Sequence, residues 1–360
     1  MMKKALKVAV VYNEAHPDFY HTNEQLDQKP LDFVPYFEVE KLTPMEEYDI
    51  LAQRLCESGL NAYTLNITDN IQKLLRDIKK NSPDVIFNFI ELYKENARLE
   101  MNTVSFLELS GVPYTGAPPM ALANCQSKML AKRLLKTYGI KTPEFIIIKE
   151  LRRKYSHSLN YPLMVKPAFE DASVGIENSS IVENEARLKE RVEYVHKSFC
   201  QPALVEEFID GRELNVAVMG DKKPAALPIS EIDFSEMPDH LYNIVSYQAK
   251  WDPLHEAYHK TIPVCPAILP PETEKKAKEI AVDAFKIMGC RDYARIDMRL
   301  AKNNQLYVLE VNPNPDLTES AGFMRSAEAA NLSYTDTLIK IIEFARERGR
   351  QDTVNLNHFN

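Results

Sequence analysis

The stretch YARIDMRLAKNNQLYVLEVNPNP, residues 293–315, gathers side chains that could do chemistry. Both halves alternate apolar and polar residues as strands do, and 302–305 separates them. Asn303-Asn304 suits a tight turn, because Asn tolerates positive φ. A turn centred between these two residues sets Asp297 opposite Glu310 and Arg295 opposite Asn312. Strand side chains alternate with period two, so all four project from one face. Two carboxylates and an amide oxygen form a hard-oxygen set suited to Mg²⁺ held together with substrate phosphates. Arg295 beside them can stabilise negative charge developing on a phosphoryl or tetrahedral group. A solvated polar face with a salt bridge is the plain alternative. The apolar flanks Ile296, Met298, Leu309 and Val311 favour a rigid core hairpin instead.

Other segments could serve the same chemistry. Lys166 ends the apolar run PLMVKP, and a lysine there is costly unless an anion meets it. Gly175 follows nine residues later, in a small-residue loop whose N–H groups can fold over phosphates. Lys128 and Lys250 are further cationic candidates, although each alone reads more readily as a surface lysine. VEEFIDGREL holds a strand, a bend at Asp210-Gly211 and a second strand. Backbone at such a bend can bond an adenine edge, with Glu206 and Glu213 reaching the exocyclic amine and the ribose. An ordinary β-turn would look the same. A rival motif is HEAYH, His255 to His259, which matches the His-Glu-x-x-His pattern of zinc hydrolases. That chemistry needs a helix carrying both imidazoles on one face, yet Pro253, Pro263 and Pro266 crowd the segment.

The elements that must position these residues are legible in outline. LKVAVVY (6–12) is a buried parallel strand by its continuous apolar run. A helix over about 44–58, the strand NAYTLNI, a helix over about 69–80 and the strand DVIFNF continue an alternation typical of an open parallel sheet with helices on both faces. Residues 13–43 make a long polar insertion. Helices follow near 99–110 and 126–138, then the strand EFIIIKE. From Tyr161 the pattern becomes short strands with single helices, an α+β arrangement. Ala277, Ile280, Ala281, Ala284, Phe285 and Met288 mark an amphipathic helix, and the last elements end near Arg348 before a polar tail.

Composition bounds the function. A chain of 360 residues suggests two or three domains. The net charge of −8 argues against a general nucleic-acid binder. No apolar run approaches the length of a membrane span, and the short N-terminal stretch does not read as a signal peptide. The five scattered cysteines read as free thiols of a reducing, cytoplasmic compartment.

Taken in order, PYTG, the Lys128 helix, VKP with SVG, EEFIDGRE, the Lys250 segment, RID and EVNPNPDLT resemble the ATP-grasp superfamily, in its D-alanine–D-alanine ligase-like branch. The resemblance runs from the first strand to about Arg348. It implies an α/β and α+β chain: a Rossmann-like N-terminal domain (1–124), a small ATP-grasp subdomain (125–205), a C-terminal ATP-grasp subdomain with the metal site (206–349), and a polar tail (350–360). It implies ATP and Mg²⁺ as cofactors, with two ions and Mn²⁺ as a substitute. Lys128 and Lys166 look like the phosphate lysines. Glu206 with Glu207, Phe208 and Ile209 looks like the adenine contacts, and Glu213 the ribose contact. Asp297, Glu310 and Asn312 look like metal ligands. Ser173, Lys250 and Arg295 look like the groups that handle the transferred phosphate and the oxyanion. The implied reaction joins a small-molecule carboxylate to an amine through an acyl-phosphate, without nucleic-acid or membrane partners; members often form homodimers.

The chain departs from the branch where the amino acids would sit. The first strand runs into Tyr12-Asn13-Glu14-Ala15 rather than a Gly-Gly turn. FNFIELYKENARLE replaces a Gly-Glu-Asp-Gly stretch. Ala172 replaces the first of two serines, Trp251 a tyrosine and Ala321 a serine, and DLTES stands for Gly-Met-Thr-Ser. Glu91, Glu100 and Arg325 become candidate substrate contacts. The expectation is a ligase with a rebuilt amino-acid pocket. The alternatives are a true D-alanine–D-alanine ligase, an ATP-binding pseudoenzyme, and the zinc hydrolase of His255 and His259.

Overall fold

The computed structural model describes residues 5–15, 43–170 and 172–356. Most of the 13–43 insertion and the end of the tail lie outside the described residues. The N-terminal unit comprises β1 (Lys7–Tyr12), α1 (Pro44–Glu57), β2 (Asn61–Asn66), α2 (Ile71–Asn81), β3 (Val85–Phe89), α3 (Glu100–Ser110) and α4 (Pro119–Gln126). Thr43 starts α1 with a capping box to Glu46. The strands pair in parallel in the order β2-β1-β3. Val8 and Val10 pack with Leu51 and Leu55 on one face. Ala9 and Val11 pack with Leu74, Val104 and Leu107 on the other. The sheet is thus covered on both sides, as the unbroken apolar run in β1 requires.

A smaller unit follows, with α5 (Lys128–Thr137), β4 (Phe145–Ile148), β5 (Leu163–Pro167), β6 (Ile181–Val182), α6 (Glu185–Phe199) and β7 (Ala203–Glu207). Its sheet is antiparallel, ordered β4-β7-β5-β6. Leu188, Val192 and Val195 of α6 cover one face. Helix α5, grouped with this unit by sequence, instead packs Ala131 and Leu135 into the core of the larger sheet.

The larger unit holds β8 (Gly211–Gly220), β9 (Ala225–Ala226), β10 (Ser230–Asp233), α7 (Tyr247–Trp251), α8 (Glu256–Lys260), β11 (Ile262–Val264), α9 (Pro271–Met288), β12 (Asp292–Ala301), β13 (Leu306–Asn312), α10 (Gly322–Ala329) and α11 (Tyr334–Leu356). Its sheet runs β11-β10-β8-β12-β13, with β9 beside β8. Leu214, Val216, Ile296, Met298 and Val308 join α9 in one core. Helix α11 continues past the expected end near Arg348, to Leu356. No helix among the described residues is long and apolar enough to cross a membrane.

The hairpin β12–β13 pairs Arg295 with Asn312 and Asp297 with Glu310, as the alternation predicts. It reaches that register by a different route. Next to the loop the pairing is shifted by one residue from the expected register, with Leu300 opposite Leu306 and Asn304 at positive φ. A bulge between the Asp297 and Met298 pairs restores the register at the charged end.

Contacts at the Gly116 turn and at Asp292 help fasten the N-terminal unit to this hairpin. The Gly116 turn has φ +90, and a Cβ there would lie 2.5 Å from the Asn314 Oδ1 that accepts the Ala117 N–H. Only glycine lets Asn314 come so close. Asp292, fully buried, accepts two bonds from Arg348 and one from the Gly116 N–H. Replacing Arg348 with Ala strands this carboxylate, whose pKa burial already raises. The variant should lose roughly 2–3 kcal/mol in a denaturant melt. An unchanged midpoint would show that the tie contributes nothing.

Candidate active site

One face of the larger sheet belongs to the core, and the other carries a polar row. Glu213 and Asn215 on β8 lie opposite Arg299 and Asp297 on β12, and Glu310 and Asn312 continue the row on β13. Asp297 is its hub. Arg295 donates to both carboxylate oxygens at 2.8 Å, Asn215 Nδ2 to Oδ1 and Asn312 Nδ2 to Oδ2, each at 2.8 Å. Burial raises the Asp297 pKa, and Arg295 opposes that rise. Asn312 spends only its amide N–H in this bond, so its oxygen can face the same space as the two carboxylates. This donor set fits a hard divalent cation.

A second charged cluster faces the hairpin from the smaller unit. Lys166 at the end of β5 lies 2.5 Å from Glu206 Oε1, and Lys132 on α5 lies 2.8 Å from Glu206 Oε2. Both Glu206 and Lys132 are essentially buried. Burial alone would raise the Glu206 pKa, but the two ammonium groups outweigh it and hold the carboxyl down at about 2. Lys128, one helical turn before Lys132, stands 3.5 Å from Glu310. Glu310 is likewise held at about 2: burial pushes it up, and Lys128, Lys166, Arg295 and Lys250 together push it further down. Cations from α5, β5, β12 and α7 therefore converge on one carboxylate. Such a field suits a polyphosphate and its metal.

The other residues singled out from the sequence have surroundings of their own. Glu213 is paired with the buried Arg299 at 2.7 Å, and burial raises its pKa. Phe208 packs against Tyr242, with Arg299 above its ring. Glu207 accepts from the N–H and the amide of Asn160, and its neighbour Ile209 leads toward β8. Ser173 sits in the small loop, where its hydroxyl donates to the Val245 carbonyl. Lys250 on α7 lies over the Trp251 ring.

The three candidate substrate contacts take different surroundings. Arg325 neighbours Arg295: a Cβ on Gly322 would lie 3.5 Å from Arg325 Nη2 and 3.9 Å from Arg295 Cδ. Glu91 is exposed just beyond β3, near the Tyr48 phenol, whose pKa is raised by burial first and by Glu91 second. Tyr48 in turn stacks on Tyr12 and contacts Phe89. Glu100 is buried at the start of α3, where Gln126 and Asn314 donate to its carboxylate.

Sequence reasoning missed Lys132 and Asn215. Lys132 follows Lys128 by one helical turn, which was a usable signal. Asn215 is a polar residue in an otherwise apolar strand, but its partner depends on strand register. The structure also overturns the zinc motif. His255 is the N-cap of the five-residue α8, with Nδ1 accepting from the Ala257 N–H. His259 is buried, with Nε2 3.0 Å from the Pro253 carbonyl. One imidazole precedes the helix and the other bonds backbone, so they present no shared metal face. Among the described residues no group of three or more His, Cys, Asp or Glu could hold a metal.

Comparison with known proteins gives the same architecture. Residues 134–343 match the family described as D-ala D-ala ligase C-terminus. A D-alanine–D-alanine ligase of Carboxydothermus hydrogenoformans is 30% identical over 315 residues, covering 84% of this chain and 93% of its own length. The D-alanine–D-alanine ligase of Bordetella petrii is 31% identical, covering 81% and 84%. A Sinorhizobium fredii protein, y4sG, is 32% identical, covering 73% and 75%. The fold is shared with the solved Bacillus anthracis D-alanine–D-alanine ligase complexed with ATP, at a TM-score of 0.71 and 22% identity over 97% of this chain and all of that one. The chain belongs to the D-alanine–D-alanine ligase family of ATP-dependent, ADP-forming ligases.

Proposed function

We propose that this ligase joins a small carboxylate to an amine through an acyl-phosphate, using substrates other than two D-alanines. The observation that carries the reading is the convergence of Lys128, Lys166, Lys250 and Arg295 on Glu310, beside Asp297 and Asn312. In this reading Lys128 and Lys166 bind the ATP phosphates. The 206–209 segment lines the adenine, and Glu213 faces the ribose. Asp297, Glu310 and Asn312 would hold Mg²⁺, which when bound draws charge from the phosphate oxygens. The substrate carboxylate attacks the γ-phosphorus, and the bond to ADP breaks. Ser173 and Lys250 hold the transferring phosphoryl group. The amine then attacks the acyl carbon, loses a proton and expels phosphate, while Arg295 stabilises the oxyanion.

The specificity part of the proposal rests on the ends of β1 and β3. Tyr12, Tyr48 and Phe89 form an aromatic wall there, with Glu91 beside it. This wall stands where the sequence departs from the branch, and pocket contacts of this kind set substrate choice. The named relatives favour a second reading, D-alanine ligation itself. The deciding measurement is ADP release from Mg²⁺-ATP against pools of amino acids and small carboxylates, with D-alanine as one pool. Turnover with a pool other than D-alanine is the expected result. Turnover with D-alanine alone would sink the substrate proposal. Silence in every pool, with ATP bound, would count against ligation and for a nucleotide-binding pseudoenzyme.

A further inference from the structure

The polar row of the larger sheet does not end at Arg295. Tyr293 lies two residues earlier on β12, so its side chain leaves the same face about 7 Å along the strand. Ala294 and Ile296 go to the core on the opposite face. The Tyr293 ring meets Phe323 of α10 edge-on at 5.7 Å and joins the cluster of Val8, Val10 and Phe87. Tyr293 is 1% exposed, yet its hydroxyl makes no hydrogen bond among the described residues. A buried phenol ordinarily finds a partner. Acidic groups surround this one: burial raises its pKa first, then Asp292, Glu91, Glu100 and Tyr48. Asp292 already meets Arg348, and Glu100 already meets Gln126 and Asn314.

Tyr48, on α1, is in the same condition. Its ring is held by Tyr12 at 4.4 Å and Phe89 at 5.0 Å. Its hydroxyl also makes no hydrogen bond among the described residues. After burial, the groups that act on it most are the carboxylates of Glu91, Asp316 and Glu47. Glu47 in turn is raised by burial and by Asp316, so two carboxylates here repel one another. Arg54 of the same helix is already paired with Glu319 at 2.8 Å. An acid in the first turn of a helix is favoured for its own sake, so Glu47 alone says little. The two unbonded phenols carry the argument, because the fold gives them nothing to bond. Toward Arg295 the charge reverses: Arg295 and Arg325 both lie beside Gly322.

We infer that this polarity selects a basic amino acid, whose terminal ammonium or guanidinium is held by Tyr48, Tyr293 and Glu91 while its other end reacts beside Arg295. The inference rests on the ligase reading and names the substrate class of its pocket. An ammonium brings three donors and no acceptor, which suits a phenol oxygen together with carboxylates. The aromatic wall of Tyr12, Tyr48 and Phe89 offers a cation its ring faces. The step from Arg295 to Tyr293, about 7 Å, matches the reach of a four-carbon stem such as that of lysine. Alanine is too short to meet both ends. A neutral chain of the right length would leave the phenols and carboxylates without a partner, and a site built for polar groups discriminates strongly against such a ligand.

The test compares lysine and arginine with norleucine and Nε-acetyl-lysine, each in both hands. Norleucine keeps the α-groups and the stem of lysine and lacks only the terminal ammonium. ADP release by the full chain is measured with each compound alone and beside each pool of amines and carboxylates. Calorimetry measures binding of the same compounds to the chain loaded with Mg²⁺ and the β,γ-imido analogue of ATP. The basic compounds should exceed norleucine in kcat/KM and in affinity by roughly 10- to 100-fold, the range of a hydrogen-bonded charge. Tyr48→Phe keeps the ring and loses the hydroxyl, and Glu91→Gln loses the charge. Each should shrink that preference roughly 10-fold. A merely structural role would lower the folded fraction, read by circular dichroism, and leave the ratio of basic to neutral compounds as it was. Equal use of lysine and norleucine, or variants with an unchanged ratio, would overturn the substrate class and leave the ligase reading standing. A chain that binds the analogue but neither binds nor turns over any compound would overturn both.

Discussion

Replacing Glu310 with Gln should lower ADP release at least about 10³-fold while leaving the fold in place. Glu310 is the carboxylate on which the cations of α5, β5, β12 and α7 converge, and it pairs across the hairpin with Asp297. Its acidity, held at about 2, keeps it ionised throughout the working range. Gln has the same shape and keeps one oxygen, but it removes a full negative charge from the proposed metal set. Metal stabilisation of a transferring phosphoryl group is worth several kcal/mol, and each 1.36 kcal/mol is tenfold in rate. Stability should change by less than about 1 kcal/mol, because the Lys128–Glu310 contact is partly open to solvent. Parallel measurements of ADP release, analogue binding and thermal midpoint test this. A variant that still binds nucleotide but has lost turnover is expected. Near wild-type turnover would remove Glu310 from the metal set.

Glu206→Ala should have the largest effect on stability, with a loss of roughly 3–5 kcal/mol, because it leaves two lysines facing an emptied, buried site. The side chains of Glu206 and Lys132 are each 2% exposed, so water cannot take the carboxylate's place. The same pairing predicts acid sensitivity. The Glu206 pKa is about 2 when folded against an ordinary 4.5. A depressed folded-state pKa gives stability that is fully present above the ordinary value and lost as pH falls through the folded one. The wild type should therefore lose this contribution between about pH 4.5 and 2. In Glu206→Gln that part of the pH dependence should disappear, and denaturant melts from pH 7 to 2.5 read both effects. An Ala variant as stable as the wild type, or a Gln variant with unchanged acid dependence, would mean that the buried pair is not ionised. The result would also bear on the adenine role given to Glu206 from the sequence. In the structure both of its carboxylate oxygens already meet lysines.

By itself the sequence determined what depends on local periodicity and residue chemistry. The apolar runs and amphipathic spacings located the strands of the parallel sheet and the helices around them. Period-two alternation put Arg295, Asp297, Glu310 and Asn312 on one face, and the ordered motifs identified the family. Tertiary structure decided what depends on residues far apart meeting. The hairpin register at Asp297 needs both an off-centre loop and a compensating bulge, and a count outward from Asn303-Asn304 reached the right pairs only because the two offsets cancel. Asn215 reaches Asp297 through the β8–β12 register, which no local pattern encodes. Glu206 and Lys132 meet because α5, adjacent in sequence to the smaller unit, packs Ala131 and Leu135 into the larger core while Lys132 reaches Glu206 on β7. HEAYH shows the converse: a spacing that fits a metal on paper gives none when the chain turns helical only after its first histidine. Charge and spacing can nominate a residue, but the free energy of a buried charge is set by which partner the fold brings within 3 Å.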